Sequence, residues 1–89
     1  MNSKTVPGII LADMDTTRVL DLLDAGDWKA AHEIVQKESS TMAAWLHGIV
    51  HILEGDLDNA RGWYRRAERE FPGGGAAKAE IAAARKSVG

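Results

Sequence analysis

A Gly-Asp pair occurs twice in the chain, at residues 26–27 and 55–56, and the two copies are 29 residues apart. Each copy closely follows two apolar residues and an acidic one, and each is followed by an apolar residue and then by alanine. Glycine reaches the left-handed conformation in which many helices end, and aspartate caps the first turn of the next helix. Self-similarity with a period of about 20–50 residues is typical of stacked helix pairs. The repeat therefore predicts two helix-turn-helix units.

The helix signals around these pairs predict an all-α fold, because no stretch shows the alternation of a strand. The architecture is two stacked helix-turn-helix repeats with a C-terminal capping helix and an N-terminal arm. Residues 1–12 form the arm, and residues 13–89 form a single helical-repeat domain. Proline and three glycines at residues 72–75 separate the last helix from the rest. The predicted helices run from near Asp13 or Asp15 to Gly26, from Asp27 to Lys37, from Met42 to Glu54, from Asp56 onward, and from Ala76 to about Lys86.

The composition is that of an ordinary globular domain, with 45% hydrophobic and 27% charged residues. The absence of cysteine excludes disulfides, thiolate nucleophiles and cysteine metal sites. A net charge of −2 argues against nucleic acid as a partner. No run approaches the roughly 20 apolar residues that a membrane span requires. We therefore expect a cytoplasmic protein with neither a nucleic-acid nor a membrane partner.

The charge is unevenly distributed along the chain. Residues 1–59 carry a net charge of −6, and residues 60–89 carry +4. This split has two interpretations. The charges can belong to solvated helix faces that happen to segregate, or they can serve attraction between two copies of the chain or capture of an acidic segment by an arginine-rich face. Four arginines belong to that face: Arg61, Arg65, Arg66 and Arg69. A weak homo-oligomer, favoured by low salt, is one expectation.

The second unit resembles the tetratricopeptide repeat. That family has a small residue within its first helix, a Gly-Asp turn, an alanine four residues before an aromatic, a second alanine and a closing proline. Here these features correspond to Gly48, Gly55-Asp56, Ala60 with Tyr64, Ala67 and Pro72. The first unit matches only through Gly26, Asp27 and Ala31, and its period is shorter than the family's typical length of about 34 residues. The resemblance covers residues 14–72, and residues 76–88 take the role of the capping helix.

The resemblance implies a module that binds a protein or peptide in a concave groove lined by the first helix of each unit. In this chain the implied binding residues are Met42, Trp45, Ile49 and Leu53 from the second unit, with Leu20 and Leu23 from the first. Burial of Trp45 under the N-terminal arm is the alternative for that residue. The resemblance also implies that Gly48 and Ala60 let the two helices of the second unit approach closely.

Three histidines depart from the family pattern, because the positions of His47 and His51 are usually apolar. These two residues are four apart and share one face of a helix. His32, on the preceding helix, faces the next unit in stacked repeats, so all three histidines could converge. Three imidazoles could bind zinc and leave one position for water. Glu33 and Glu54 are the carboxylates close enough in sequence to act as a base or as a further ligand.

Two other interpretations of the histidines remain open at this point. Neutral histidines can fill space between helices, each hydrogen-bonded to a carbonyl, a carboxylate or the Tyr64 hydroxyl and stacked on Trp45 or Trp63. They can also perform acid–base chemistry without a metal. The sequence thus predicts an interaction module without a cofactor, with a small hydrolase or zinc-binding protein centred on His32, His47 and His51 as the alternative.

Overall fold

The computed structural model describes residues 14–88, which contain five helices and no β-strand. The all-α prediction is therefore confirmed for this part of the chain, whereas the predicted arm at residues 1–12 lies outside it. The helices are α1 (Thr16–Asp24), α2 (Trp28–Val35), α3 (Thr41–Glu54), α4 (Leu57–Arg66) and α5 (Ala77–Val88). None of them combines the length and the apolar character that a membrane-spanning helix requires.

Side-chain caps set the start of the first four helices. The N-cap side chain accepts a hydrogen bond from a backbone N–H three residues later, which satisfies a donor that the helix itself leaves free. The capping residues are Asp15, Asp27, Ser40 and Asp56. Gly26 and Gly55 adopt φ angles of +79° and +92° and stop α1 and α3 in the left-handed conformation. The repeated Gly-Asp pair thus acts as predicted, although α2 ends two residues before the predicted Lys37.

Sequential packing builds the two units. Helix α1 packs on α2, α2 on α3 and α3 on α4, so each of the first three helices contacts the one that follows it in the chain. In the second unit Gly48 lies against the ring of Tyr64, where an added Cβ would stand only 2.5 Å from Cδ1 of the tyrosine. A side chain at position 48 would therefore meet Tyr64 first, and the close approach that the resemblance implied for Gly48 and Ala60 stays a prediction.

Helix α5 lies across the first helices of both units, since its helix contacts are with α1 and α3. A carboxylate anchors it there: Glu80 Oε1 accepts hydrogen bonds from Trp45 Nε1 at 2.9 Å and from the Tyr64 hydroxyl at 2.8 Å. Near its other end, Arg85 donates to Asp21 at 2.9 Å and to Asp24 at 2.6 Å. The predicted capping helix therefore covers the face where the sequence predicted an open groove.

Candidate metal centre

The three histidines come together where the two units meet. His32 projects from α2, and His47 and His51 project from one face of α3. The centroid of the His32 ring lies 4.7 Å from that of His47 and 5.4 Å from that of His51, and the latter two centroids are 5.0 Å apart. One nitrogen from each ring can be chosen so that all three lie within 4.8 Å of one another. The structure thus produces the convergence that the spacing predicts.

Burial isolates two of these rings from water. His47 is 4% exposed and His51 is 6% exposed, and they are the two buried polar or charged residues of the described chain. His32 is half-buried, so the cluster reaches solvent on its α2 side. A buried polar group normally has a hydrogen-bond partner. No residue between 14 and 88 forms a hydrogen bond with the ring nitrogens of His47, so it is not a satisfied core histidine within that range.

An aromatic contact holds the ring of His47 in place. The indole of Trp63 lies parallel to it, with 3.7 Å between the ring centroids and 9° between the planes. Contact through the ring face does not block the ring nitrogens, one of which carries the in-plane lone pair of the neutral imidazole. Burial, and after it the nearby His51, His32 and Arg66, lowers the pKa of His47 from 6.5 to about 4. His47 is therefore neutral at pH 7, which is the form that binds metals.

A carboxylate fixes the orientation of His51. Its Nδ1 lies 2.7 Å from Glu54 Oε1, one helical turn further along α3. An ionised carboxylate only accepts hydrogen bonds, so Nδ1 of the neutral ring must donate and Nε2 keeps its lone pair free. Metal-binding histidines commonly donate their second ring nitrogen to a carboxylate in this way. Glu54 therefore prepares His51 to act as a ligand through Nε2.

The other predicted carboxylate does not join the cluster. Glu33 is exposed and belongs to neither of the two groups of close metal-ligating side chains found within residues 14–88. The second group contains His51, Glu54 and Asp56, of which the two acids are exposed. The Tyr64 hydroxyl, considered as a histidine partner, donates to Glu80 instead. Glu54 is thus the candidate carboxylate that the structure brings to a histidine.

The geometry of the cluster suits a tetrahedral ion after a small adjustment. Zinc binds imidazole nitrogens at about 2.0–2.1 Å, which places two ligands of a tetrahedron about 3.3 Å apart. The candidate ligand atoms lie within 4.8 Å of one another. Rotations of the side chains that move each nitrogen by about an ångström would close the site, a range that ordinary rotamer wells permit.

The predicted groove is covered by α5 in its middle and open at both ends. Ile49 is fully buried and Trp45 is 2% exposed, because α5 lies on this face. Leu20 and Leu23 are buried as well. Met42 and Trp45 line a small cleft at one end, and Leu53 lines a larger one with Leu23 and α5 at the other. The fully open groove is therefore not present in this conformation.

Two side chains of α4 border the cluster. Trp63, one of the two tryptophans that the sequence offered as stacking partners of the histidines, stacks on His47 from 16 positions further along the chain. Arg66 lies over Trp63 with its guanidinium 4.6 Å from the ring centroid, a contact that the sequence did not predict. Comparisons of the chain with protein families, with curated proteins and with solved structures found no match.

Proposed function

We propose that this protein binds a zinc ion through His32, His47 and His51. The observation that carries the proposal is the convergence of three imidazoles from two helices, with ligand atoms within 4.8 Å of one another. Imidazole nitrogen is a preferred ligand of zinc, and cysteine, the other usual ligand, does not occur in the chain. Neutral His47 needs to lose no proton before it binds, so a metal meets little competition there at pH 7.

Two features support a ligand role over simple space filling. Within residues 14–88 the buried ring of His47 has no hydrogen-bond partner, and an apolar residue of the same size would fill its position at lower cost. His32 also approaches the two buried rings from the neighbouring helix, with its ring centroid 4.7 Å from that of His47 and 5.4 Å from that of His51. A role in the core alone would account for the pairing of His51 with Glu54 and for the stacking of His47 on Trp63, but it would not need the approach of His32.

Three histidines leave a fourth tetrahedral position for water, whose pKa falls to about 7 on zinc. In this proposal Glu54 positions His51 through Oε1. His32 is the ligand on the solvent side, so a substrate would approach the ion past α2. Hydrolysis by such a water is the enzyme activity that follows from this site.

Metal stoichiometry and visible spectra of the cobalt form test the proposal. Equilibrium dialysis of the full chain is expected to give one zinc per chain, and Co²⁺ in the site is expected to show the intense visible absorption of tetrahedral coordination. His32→Leu, His47→Leu and His51→Leu should each abolish both signals. Glu33→Gln, which changes an exposed residue one position from His32, is the matched control and should keep both. Unchanged zinc binding in all three leucine variants would overturn the site.

Protein or peptide interaction of the tetratricopeptide-like type is a second candidate function. The stacked helix pairs and the tight contact of Gly48 with Tyr64 support this kinship. The two clefts at the ends of the covered groove support a binding role, with volumes of about 130 Å³ beside Met42 and Trp45 and about 260 Å³ beside Leu53. Apolar side chains of a partner would enter these clefts.

Self-association is the form of this second candidate that the chain alone can test. Sedimentation velocity over a range of concentrations is expected to show weak association that strengthens at low salt. Leu53→Glu places a charge in the larger cleft and should abolish the association. Leu57→Glu changes an exposed leucine, 37% accessible and outside both clefts, and should leave the association intact. A parent protein that stays monomeric at every concentration would exclude self-association.

A further inference from the structure

A surface cleft of about 400 Å³ opens on α4 beside the histidine cluster. Its lining is formed by Asn59, Gly62, Trp63, Arg65 and Arg66. Trp63 lines the cleft and also contacts the histidine cluster, since its indole stacks on His47. The cleft and the candidate metal centre therefore share an aromatic wall.

The two arginines of the cleft have no acidic partner within the described chain. Neither Arg65 nor Arg66 forms an ion pair with any residue from 14 to 88, whereas Arg85 pairs with both Asp21 and Asp24. Arg66 is nevertheless held in place, because its guanidinium lies over the Trp63 ring at 4.6 Å from the centroid. Two positive charges thus line one cleft without a counter-charge from its walls.

No acidic residue lines this cleft. Asp56, the N-cap of α4, reaches its margin, since its Oδ2 accepts a hydrogen bond from Asn59 Nδ2 at 3.4 Å. Glu38 lines a neighbouring cleft together with Arg66 and forms no ion pair within residues 14–88. The electrostatic potential of the cleft is therefore set mainly by its arginines, and an anion is the ligand that this potential attracts.

We propose that this cleft binds the phosphate group of a small molecule. A phosphate carries about −1.5 to −2 charges at pH 7, and the planar fork of a guanidinium matches its oxygens with two parallel hydrogen bonds. Two arginines supply two such forks, and the side-chain amide of Asn59, one of whose N–H groups bonds Asp56, has a second N–H to donate. The faces of the Trp63 indole contact His47 and the Arg66 guanidinium, so an organic group attached to the phosphate would contact the edge of the indole. The inference does not depend on zinc, so the metal-free protein tests it alone.

Isothermal titration calorimetry of the metal-free chain, in the presence of a chelator, tests the ligand class with three probes. Inorganic phosphate and phenyl phosphate are expected to bind saturably, and benzoate is expected to bind much more weakly. Phenyl phosphate that binds more tightly than inorganic phosphate identifies an organic phosphate as the ligand, and equal affinities identify free phosphate. Benzoate that binds as tightly as phenyl phosphate would overturn the assignment, and so would the absence of saturable binding.

Matched arginine variants test the location. Arg66→Gln and Arg65→Gln are each expected to weaken phenyl phosphate binding about tenfold or more, the loss expected for a charge-assisted hydrogen bond. Arg18→Gln removes the same charge from the exposed face of α1, outside the cleft, and should leave the affinity unchanged. Circular dichroism establishes that each variant is folded. Equal losses in all three variants would mean general charge attraction and would overturn the site.

Discussion

The carboxylate of Glu54 lies 2.7 Å from Nδ1 of His51, one turn along the same helix. This contact connects an exposed acid to a buried imidazole and decides which ring nitrogen of His51 keeps a free lone pair. The candidate ligand His51 therefore has a hydrogen-bonded carboxylate, as histidine ligands in metalloproteins commonly have to fix their orientation and basicity.

Replacing this carboxylate should weaken the metal site without disturbing the fold. Glu54→Gln removes the charge that holds the Nδ1 proton of His51, and we expect zinc affinity to fall about 10–100-fold. Competition with a chromophoric chelator measures the affinity. Glu33→Gln removes an equal charge near His32 without a contact to the cluster and should leave affinity unchanged. Equal affinities for the parent and Glu54→Gln would show that Glu54 does not position the ligand.

Adding one methyl group at Gly48 should destabilise the second unit. The Cβ of Gly48→Ala would stand 2.5 Å and 2.6 Å from two ring carbons of Tyr64, which is fully buried and has little room to move. We expect a loss of about 1–3 kcal/mol in the free energy of unfolding, measured in urea, although alanine favours helix more than glycine does.

Gly62→Ala is the matched control on the facing helix α4. Its added Cβ meets nothing within 4 Å. This variant should therefore show only the gain in helix propensity, up to about 1 kcal/mol of added stability. A Gly48→Ala protein as stable as Gly62→Ala would contradict the close contact between Gly48 and Tyr64.

Removing the carboxylate of Glu80 should loosen α5. Glu80→Ala leaves two donors without an acceptor, Trp45 Nε1 and the Tyr64 hydroxyl, in side chains that are 2% and 0% exposed. Each orphaned donor costs about 1–3 kcal/mol, so the loss in unfolding free energy should exceed that of an ordinary surface substitution. Glu80→Gln keeps an acceptor oxygen and should lose less. Thermal melting equal to the parent in Glu80→Ala would contradict the anchoring role.

Local chemistry explains why much of this fold could be predicted from the sequence. Asp15, Asp27 and Asp56 cap helices because a short carboxylate side chain reaches the free N–H groups of a first turn. The convergence of the histidines followed from the spacing of His47 and His51 on one helical face and from the stacking of repeats. Both depend on interactions between residues close in sequence or on a regular period.

Contacts between distant residues account for what the sequence did not predict. Helix α5 is rich in alanine and carries a weak apolar face, so its pattern does not specify where it packs. Its position depends on Glu80, which bonds Trp45 from 35 positions away, and on Arg85, which bonds Asp21 from 64 positions away. These pairs cover the predicted groove, and no periodicity along the chain encodes them.

The low pKa of His47 predicts how the stability of the metal-free protein depends on pH. The folded-state pKa is about 4, below the ordinary value of 6.5 that the unfolded chain recovers. Between these values the unfolded chain binds a proton that the folded protein does not, so the free energy of unfolding falls as pH falls from 6.5 to 4. At about 1.36 kcal/mol per pKa unit, the full loss approaches about 3 kcal/mol.

Urea unfolding in the presence of a chelator, at a series of pH values between 4 and 6.5, measures this slope. His47→Leu cannot take up the proton and should show a shallower fall in stability over the same range. Carboxylates titrate in both proteins, so the difference between the two curves isolates His47. Identical curves would mean that His47 is readily protonated in the folded state.

Thermal melting in the presence of zinc tests the central claim most directly. A ligand that binds only the folded state raises the melting temperature by mass action, because it adds about 2.7 kcal/mol to the free energy of unfolding when its free concentration is 100 times its dissociation constant. We predict that micromolar zinc raises the melting temperature of the parent protein, that a chelator reverses the rise, and that His51→Leu melts at the same temperature with and without zinc. A parent protein whose melting temperature does not respond to zinc, together with a stable His51→Leu variant, would contradict the metal centre.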